Sequence, residues 1–320
     1  MTPLYPYTSF KIRDLYKPEN IYFFNSGSAA LFFVVLFIKS KYKDSVFLLP
    51  AYTCPSVVNV LVKAKVVFDF VDLNESLDFD LNDLKVVVKK YINKKVILIP
   101  TSLFGAKIRN YKSVFEEFII IEDMAQSYPD LYTEADFRIF SFGKGKMISS
   151  YSGGALLTNY DINKIYTELI VIDDFLKSFF LANLTNFILK YFYKLIEISP
   201  LNPEKNEHFK LEDVYIYRLS NMKKKWILTS IEDVDLSRRV KNSNYYLETF
   251  DKNLLFNLSS NIPYLRMPVK GEFKIKGSSK MKDYRYTYEI AKQSRGKDLK
   301  IAKILAYNST FLPTHDLVEL

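Results

Sequence analysis

Four short stretches set the frame of the chain. VFLLP (46–50), VVFDFVDL (66–73), KVILIP (95–100) and FIIIED (118–123) are runs of β-branched and apolar residues. Runs of this kind predict short strands buried on both faces. Between them, CPSVVNVLVKAK (54–65) and LNDLKVVVKKYINK (81–94) carry apolar residues at helical spacing. Strand, helix, strand, helix predicts an α/β fold with a mainly parallel sheet flanked by helices. In such sheets ligands gather at the carboxyl ends of the strands. Those ends are chemically rich here, with PAYTC (50–54), PTSLFG (100–105) and EDMAQS (122–127).

Beyond residue 160 the pattern changes. Residues 161–200 read as one or two long, very apolar helices closed by Pro200 and Pro203, and 229–250 as a helix with early acids and a basic, aromatic end. From about residue 260 short strands and helices alternate, as in a small α+β lobe. On a helix over 169–198, Asp173, Lys177, Asn183, Asn186, Lys190 and Lys194 fall on one narrow stripe and most of the rest is apolar. That is too polar to span a bilayer and too apolar for a fully solvated helix. Two readings stay open: packing on the catalytic domain or a dimer partner, or an apolar face resting in a membrane interface with its lysines near anionic headgroups.

Composition narrows the function. At 320 residues the chain can bury a large core. Its single cysteine, Cys54, fits a reducing compartment, and with only two histidines a histidine-based metal site or a Ser-His-Asp triad is not expected. The start, MTPLYPYTSFKIRD, lacks the apolar core of a signal peptide, so a cytoplasmic location is expected, with peripheral contact at the inner face of the membrane as the variant. The net charge of +9 comes from lysines interspersed with acids, which argues against a nucleic-acid partner.

Three segments carry chemistry. In NSGSAAL (25–31) a Gly-Ser pair opens an apolar helix, which suits a phosphate or is simply a cap. FIIIEDMAQS places Asp123 just past a buried strand, as a functional carboxylate or as the cap of a following helix. FSFGKGKMISSYSGGALLTN (140–159) holds four of the nine glycines around Lys144 and Lys146, with Lys146 five residues after Ser141. A lysine partly buried beside a phosphate site can lose its proton and form a Schiff base. A surface loop with two solvated lysines is the plainer reading. The order of the three, phosphate-type helix start, acid at a strand end, then Ser-x4-Lys, is the layout of a pyridoxal-phosphate site.

On SGSAAL, PAYTC, IEDMAQS and FSFGKGK…GGALLTN, with YRLSN (217–221) and STFLPTH (309–315), the chain resembles the DegT/DnrJ/StrS sugar aminotransferases, a branch of the fold-type I pyridoxal-phosphate enzymes. The resemblance implies a cofactor-binding catalytic domain over 1–225, including an apolar helical insertion at about 161–214, and a small C-terminal domain with its linking helix over 226–320. It implies that Gly27, Ser28 and Ser141 meet the cofactor phosphate, Asp123 pairs with the pyridine nitrogen, Gln126 contacts the phenolic oxygen, and Lys146 carries the cofactor. Lys144 is then a bystander. Gly153 and Gly154 let the chain turn closely back into the sheet.

Three positions depart from the family pattern. Cys54 stands where a ring-stacking aromatic is usual, with Tyr52 as the compensating candidate. Ser152 replaces a glutamate before the double glycine. Ile216 replaces the asparagine that reaches a phosphate across the dimer. The implied activity is transfer of an amino group, from glutamate in most of the family, to a ketosugar, nucleotide-linked, for surface polysaccharide or glycan assembly by a homodimer. The alternatives are a non-catalytic homologue serving as a scaffold or membrane-surface partner, and a pyridoxal-phosphate-dependent sugar dehydratase. Relatives that dehydrate carry histidine where this chain has Lys146.

Overall fold

The computed structural model describes residues 20–129, 134–192, 213–275 and 277–315. The chain enters through β1 (Ile21–Phe24) and α1 (Gly27–Lys41), then alternates β2 (Ser45–Pro50), α2 (Pro55–Ala64), β3 (Val67–Val71), α3 (Leu81–Lys89) and β4 (Lys95–Leu98). After β5 (Ile119–Asp123), β6 (Phe137–Ser141) and β7 (Gly154–Thr158) come α4 (Asn163–Thr167), β8 (Val171–Ile172) and α5 (Phe175–Phe192). Then follow β9 (Arg218–Leu219), α6 (Asn221–Asp233), α7 (Ser237–Thr249), β10 (Arg266–Lys270), α8 (Lys282–Arg295), α9 (Lys300–Tyr307) and β11 (Ser309–Pro313). Nine strands form one sheet in the order β3-β2-β4-β5-β6-β7-β1-β9-β8, while β10 and β11 pair antiparallel in the C-terminal lobe.

The four apolar runs occupy β2 to β5, whose pairings with one another and with β6 are all parallel. Each is wrapped on both faces, which is why none alternates. One face carries α1, α2 and aromatics of the C-terminal lobe, the other α3 with Tyr111 and Phe118. From β2 the chain steps outward to β3 and then crosses back to β4, so the order reverses between β2 and β4. That reversal opens the crevice where ligands bind in open α/β sheets. The lobe is fixed over this end by charge. Arg295 of α8 forks onto both carboxylate oxygens of Asp83 at 2.8 and 2.9 Å, and Asp72 accepts the N–H groups of Ile301 and Ala302 at the start of α9.

Two expectations are corrected. Residues 161–192 are not a helical stretch throughout: Val171 and Ile172 break it by pairing with Arg218 and Leu219 at the sheet edge, so Asp173 precedes α5 and is not on its stripe. The helix expected over 229–250 is two helices, because Asp235 turns its carboxylate onto the N–H of Ser237 and ends the run between α6 and α7. Pro200, Pro203 and Lys194 lie outside the described residues. On α5, Phe175 and Phe179 pack edge-on against Trp226, while Leu176, Phe180 and Leu184 face outward at 78%, 66% and 43% exposure beside exposed Ile170, Val171 and Ile172. Among the described residues no helix is long and apolar enough to cross a membrane.

One crossing is tight enough to test. A β-carbon at Gly154 would lie 2.3 Å from the carbonyl carbon of Ser26 and 2.4 Å from the nitrogen of Gly27, both backbone atoms. Gly154→Ala is therefore expected to cost about 3 kcal/mol or more in urea denaturation. Gly143→Ala, whose new carbon would meet only Ser141 Oγ at 3.7 Å, should cost under about 1 kcal/mol. Equal costs would mean that the crossing relaxes freely.

Candidate active site

The start of α1 lies against the end of β6. Ser26, not Ser28, is the cap: its Oγ accepts the N–H of Ala29 at 3.0 Å. Ser28 is thereby left one residue inside the helix, half-buried. A β-carbon on Gly27 would come 2.8 Å from Ser141 Cβ and 3.2 Å from its Oγ. Gly27 and Ser141 thus meet, with Ser28 the next residue of α1, at a helix end whose first N–H groups the helix cannot satisfy.

Asp123 closes β5. Its backbone is held from both sides, with its N–H on Pro100 O, its carbonyl accepting from Ser102 N–H, and its register partner Ile139 on β6. The side chain is buried, and its carboxylate accepts the N–H of Ala125 at 3.0 Å. Burial pushes the Asp123 carboxyl above the usual carboxylate range, opposed by the Ala125 N–H and the positive charge of Lys146. The adjacent Glu122 pairs with Arg138 at 2.6 Å.

Lys146 sits half-buried in the loop between β6 and β7. The loop is closed on itself: Phe142 N–H donates to Gly153 O, Ser150 N–H to Phe142 O, and Lys146 N–H to Gly143 O. Gly145 at φ +81° and Tyr151 at φ +68° make the turns. Lys144 is exposed and lies over the Tyr151 ring at 5.2 Å. The two lysines of the motif therefore point to different uses, and Lys146 is the one whose charge reaches Asp123.

The third edge of the site belongs to the C-terminal lobe. Gln126 is buried, with its Oε1 accepting from Phe104 N–H at 3.1 Å and its Nε2 donating to Tyr284 Oη at 2.8 Å. Tyr52 is fully enclosed, its ring parallel to Phe311 at 6.4 Å and tilted against Tyr284 at 5.4 Å. Its hydroxyl is buried with no hydrogen-bond partner among the described residues. Cys54 lies at the start of α2 with Sγ 3.0 Å from Ser56 Oγ.

Three residues here escaped the sequence reading: Tyr284, Asp174 and Lys223. Lys223 belongs to the densest basic run of the chain, Lys223-Lys224-Lys225, yet it is 0% exposed. Its spacing from Trp226 and Ile227, three and four residues on, was the available signal, because it places Lys223 on the buried face of α6. Its Nζ donates to Ser150 O at 2.7 Å, lies over the Trp226 ring at 4.7 Å and is 3.8 Å from Asp174 Oδ1. The other oxygen of Asp174 accepts from Ser152 at 2.5 Å and from Ser178 at 2.9 Å. Burial lowers the Lys223 ammonium to about 8, against the pull of Asp174 in the other direction.

A buried carboxyl at the end of one strand, a lysine in the loop after the next and a close glycine–serine contact at a helix start fit the layout of a fold-type I pyridoxal-phosphate enzyme. The chain belongs to the DegT/DnrJ/EryC1/StrS aminotransferase family, whose model matches residues 11–172, just over half of its length. It is therefore a pyridoxal-phosphate-dependent aminotransferase by family. Its fold is similar to that of a DegT/DnrJ/EryC1/StrS aminotransferase from Brucella abortus (17% identity, TM-score 0.64, covering 93% of this chain and 82% of that one). It is also similar to PseC of Helicobacter pylori, an aminotransferase involved in the biosynthesis of pseudoaminic acid (15%, 0.65, 94% and 82%). A third similar structure is the E. coli GDP-4-keto-6-deoxy-D-mannose-3-dehydratase with bound hydrated pyridoxal phosphate (16%, 0.62, 92% and 83%).

Lys223 yields a pH prediction. Its folded value, about 8, lies below its ordinary 10.5, so between these the unfolded chain binds more protons and stability rises with pH. The cost of the buried charge is fully present below about pH 8 and is relieved as pH climbs toward 10.5. Urea denaturation at pH 7 and pH 9.5 should show the parent gaining stability relative to Lys223→Met. Parallel curves for the two proteins would remove Lys223 as the source.

Proposed function

We propose that the enzyme converts a nucleotide-linked ketosugar to an aminosugar for surface polysaccharide or glycan assembly, with glutamate as amino donor. The observation that carries the reading is the close approach of Gly27 to Ser141, with the buried Asp123 on the neighbouring strand and within electrostatic reach of Lys146. The residues fit pyridoxal phosphate on their own chemistry. Asp123 is a desolvated carboxyl lacking a hydrogen-bonded cation among the described residues, which a protonated ring nitrogen would supply. The first turn of α1 beside Ser141 presents N–H groups from which a phosphate could accept, and the hydroxyl of Tyr52 is a buried polar group with no partner among the described residues.

In this reading Gly27, Ser28 and Ser141 hold the phosphate, and Asp123 keeps the ring nitrogen protonated. Gln126 and Tyr52 line the ring side. The cofactor supplies an electron sink that weakens the C–H bond of the bound amine. Lys146 carries the cofactor at rest, takes the proton from the donor carbon and returns it on the other side of the exchange. The buried setting keeps water from that proton. A dehydratase reading has support in the fold of the E. coli dehydratase, but Lys146 favours amino transfer, since its amine both carries the cofactor and moves the proton.

Transfer is tested by half-reactions. Protein loaded with pyridoxal phosphate should lose its visible absorbance on addition of glutamate and regain it with a nucleotide-linked ketosugar. Borohydride reduction should place the pyridoxyl group on Lys146 and not Lys144, and Asp123→Asn should stay folded while slowing the bleaching about 100-fold or more. If neither glutamate nor another amino acid bleaches the loaded protein, amino transfer is excluded.

The exposed apolar face of β8 and α5 is proposed as the contact between two copies in a homodimer. Light scattering should give a dimer, with Leu176→Glu/Phe180→Glu shifting it toward monomer while leaving the fold intact. Salt-sensitive flotation of the parent with anionic liposomes, lost in that variant, would instead assign the face to a membrane surface.

A further inference from the structure

The loop between β6 and β7 returns to the sheet through a residue that resists the turn. Tyr151 stands at φ +68°, in the left-handed region that side chains disfavour and glycine accepts. Such a conformation persists where its surroundings over-determine it. Here the peptide group that leads into Tyr151 is held at both ends. Its N–H donates to Ser149 Oγ at 3.2 Å, and its carbonyl, that of Ser150, accepts from Lys223 Nζ at 2.7 Å.

Lys223 is 0% exposed, and burying an ammonium is less favourable than burying an apolar chain of similar length. Around its Nζ stand the Trp226 ring at 4.7 Å and Asp174 Oδ1 at 3.8 Å. Asp174 is itself tied to the loop, because its other oxygen accepts from Ser152, the residue after Tyr151. A buried charge and a strained turn therefore meet at one peptide group. The closure of the loop depends on that peptide. Ser150 N–H donates to Phe142 O at 2.9 Å, Ser150 Oγ to Ser152 O at 2.6 Å, and Phe142 N–H to Gly153 O at 2.8 Å. Lys146 lies on the stretch that these bonds close.

We infer that Lys223 is a positioning residue for Lys146: it grips the Ser150 carbonyl, holds Tyr151 in its left-handed turn, and so fixes the loop that presents the Lys146 amine. The inference rests on the assignment of Lys146 as the residue that carries the cofactor.

The first readout needs no cofactor. Amide hydrogen exchange of Phe142 and Ser150 in the cofactor-free protein reports opening of the loop. Lys223→Met keeps an unbranched chain beside Trp226 and removes the ammonium. It should speed both amides about 10-fold or more, as expected for one lost hydrogen bond to a charged group, while the amides of β2 exchange as in the parent. Tyr151→Gly added to that variant should slow them again by about 5-fold, because glycine takes the turn without strain. A lysine that only fills space beside Trp226 would gain no relief from that second change. If Lys223→Met does not fold, the double variant should, and its failure to fold overturns the inference. The second readout is the rate at which added pyridoxal phosphate is fixed on Lys146 by borohydride. It should fall about 10-fold in Lys223→Met and recover in part in the double variant. Exchange unchanged in Lys223→Met, or no relief from Tyr151→Gly, overturns the grip. A loosened loop with Lys146 labelled at the parent's rate overturns the positioning role while the cofactor assignment stands. If the parent itself is not labelled on Lys146, the assignment fails and the inference with it.

Discussion

Two backbones touch where Gly154 passes the start of α1, and the site is organised around that contact. Gly154 is the register partner of Phe24 on one side and of Ser141 on the other. A single residue without a side chain therefore sets how far the end of β6 stands from the first turn of α1. The Gly27–Ser141 contact follows from it, and so does the closure of the Lys146 loop through Phe142 and Gly153. Asp123 joins the same frame through Ile139 on β6. Gly27, Ser141, Asp123 and the loop that carries Lys146 thus share one rigid reference, which is what the proposed chemistry would require of them.

This explains which parts of the molecule were legible in the sequence. Strands covered on both faces announce themselves as unbroken apolar runs, and Asp123 and Ser141 are legible as the polar residues at which two such runs stop. The offset from Ser141 to Lys146 is readable because a tight loop between adjacent strands admits few lengths. The α6–α7 break was written in Asp235, but a carboxylate that ends a helix looks the same as one that decorates it. Strand β8 was not legible: Val171 and Ile172 are β-branched, but two residues inside a longer apolar stretch give no separate signal, and they are extended where β9 offers them a sheet edge. Tyr284 lies 158 residues from Gln126, and no local pattern can join residues so far apart.

The Ser152 position looks different once the hydrogen bonds of its loop are in view. Where Ser152 replaces a glutamate, Asp174 at the approach to α5 brings a carboxylate to the same spot, and the serine donates to it. The segment at the start of α5 is bonded into the loop between β6 and β7: Ser152, Ser178 and Asp174 form one hydrogen-bonded group, and Lys223 links it to Ser150 and Trp226.

That arrangement also bears on the buried Lys223 and the half-buried Lys146. Lys223 contacts the carbonyl of Ser150, four residues beyond Lys146, and an uncompensated ammonium there would compete for the nearest buried carboxylate. Asp174 lies between the two needs. It takes up the charge of Lys223, and the cation felt at Asp123 is that of Lys146. The Asp123 carboxyl is then raised by its own burial and only partly restrained by Lys146 and one N–H. A carboxyl in that state gains more from an arriving cationic ring nitrogen than one already satisfied by a permanent ion pair. Asp174 thus answers Lys223, and Asp123 is left without a hydrogen-bonded cation among the described residues.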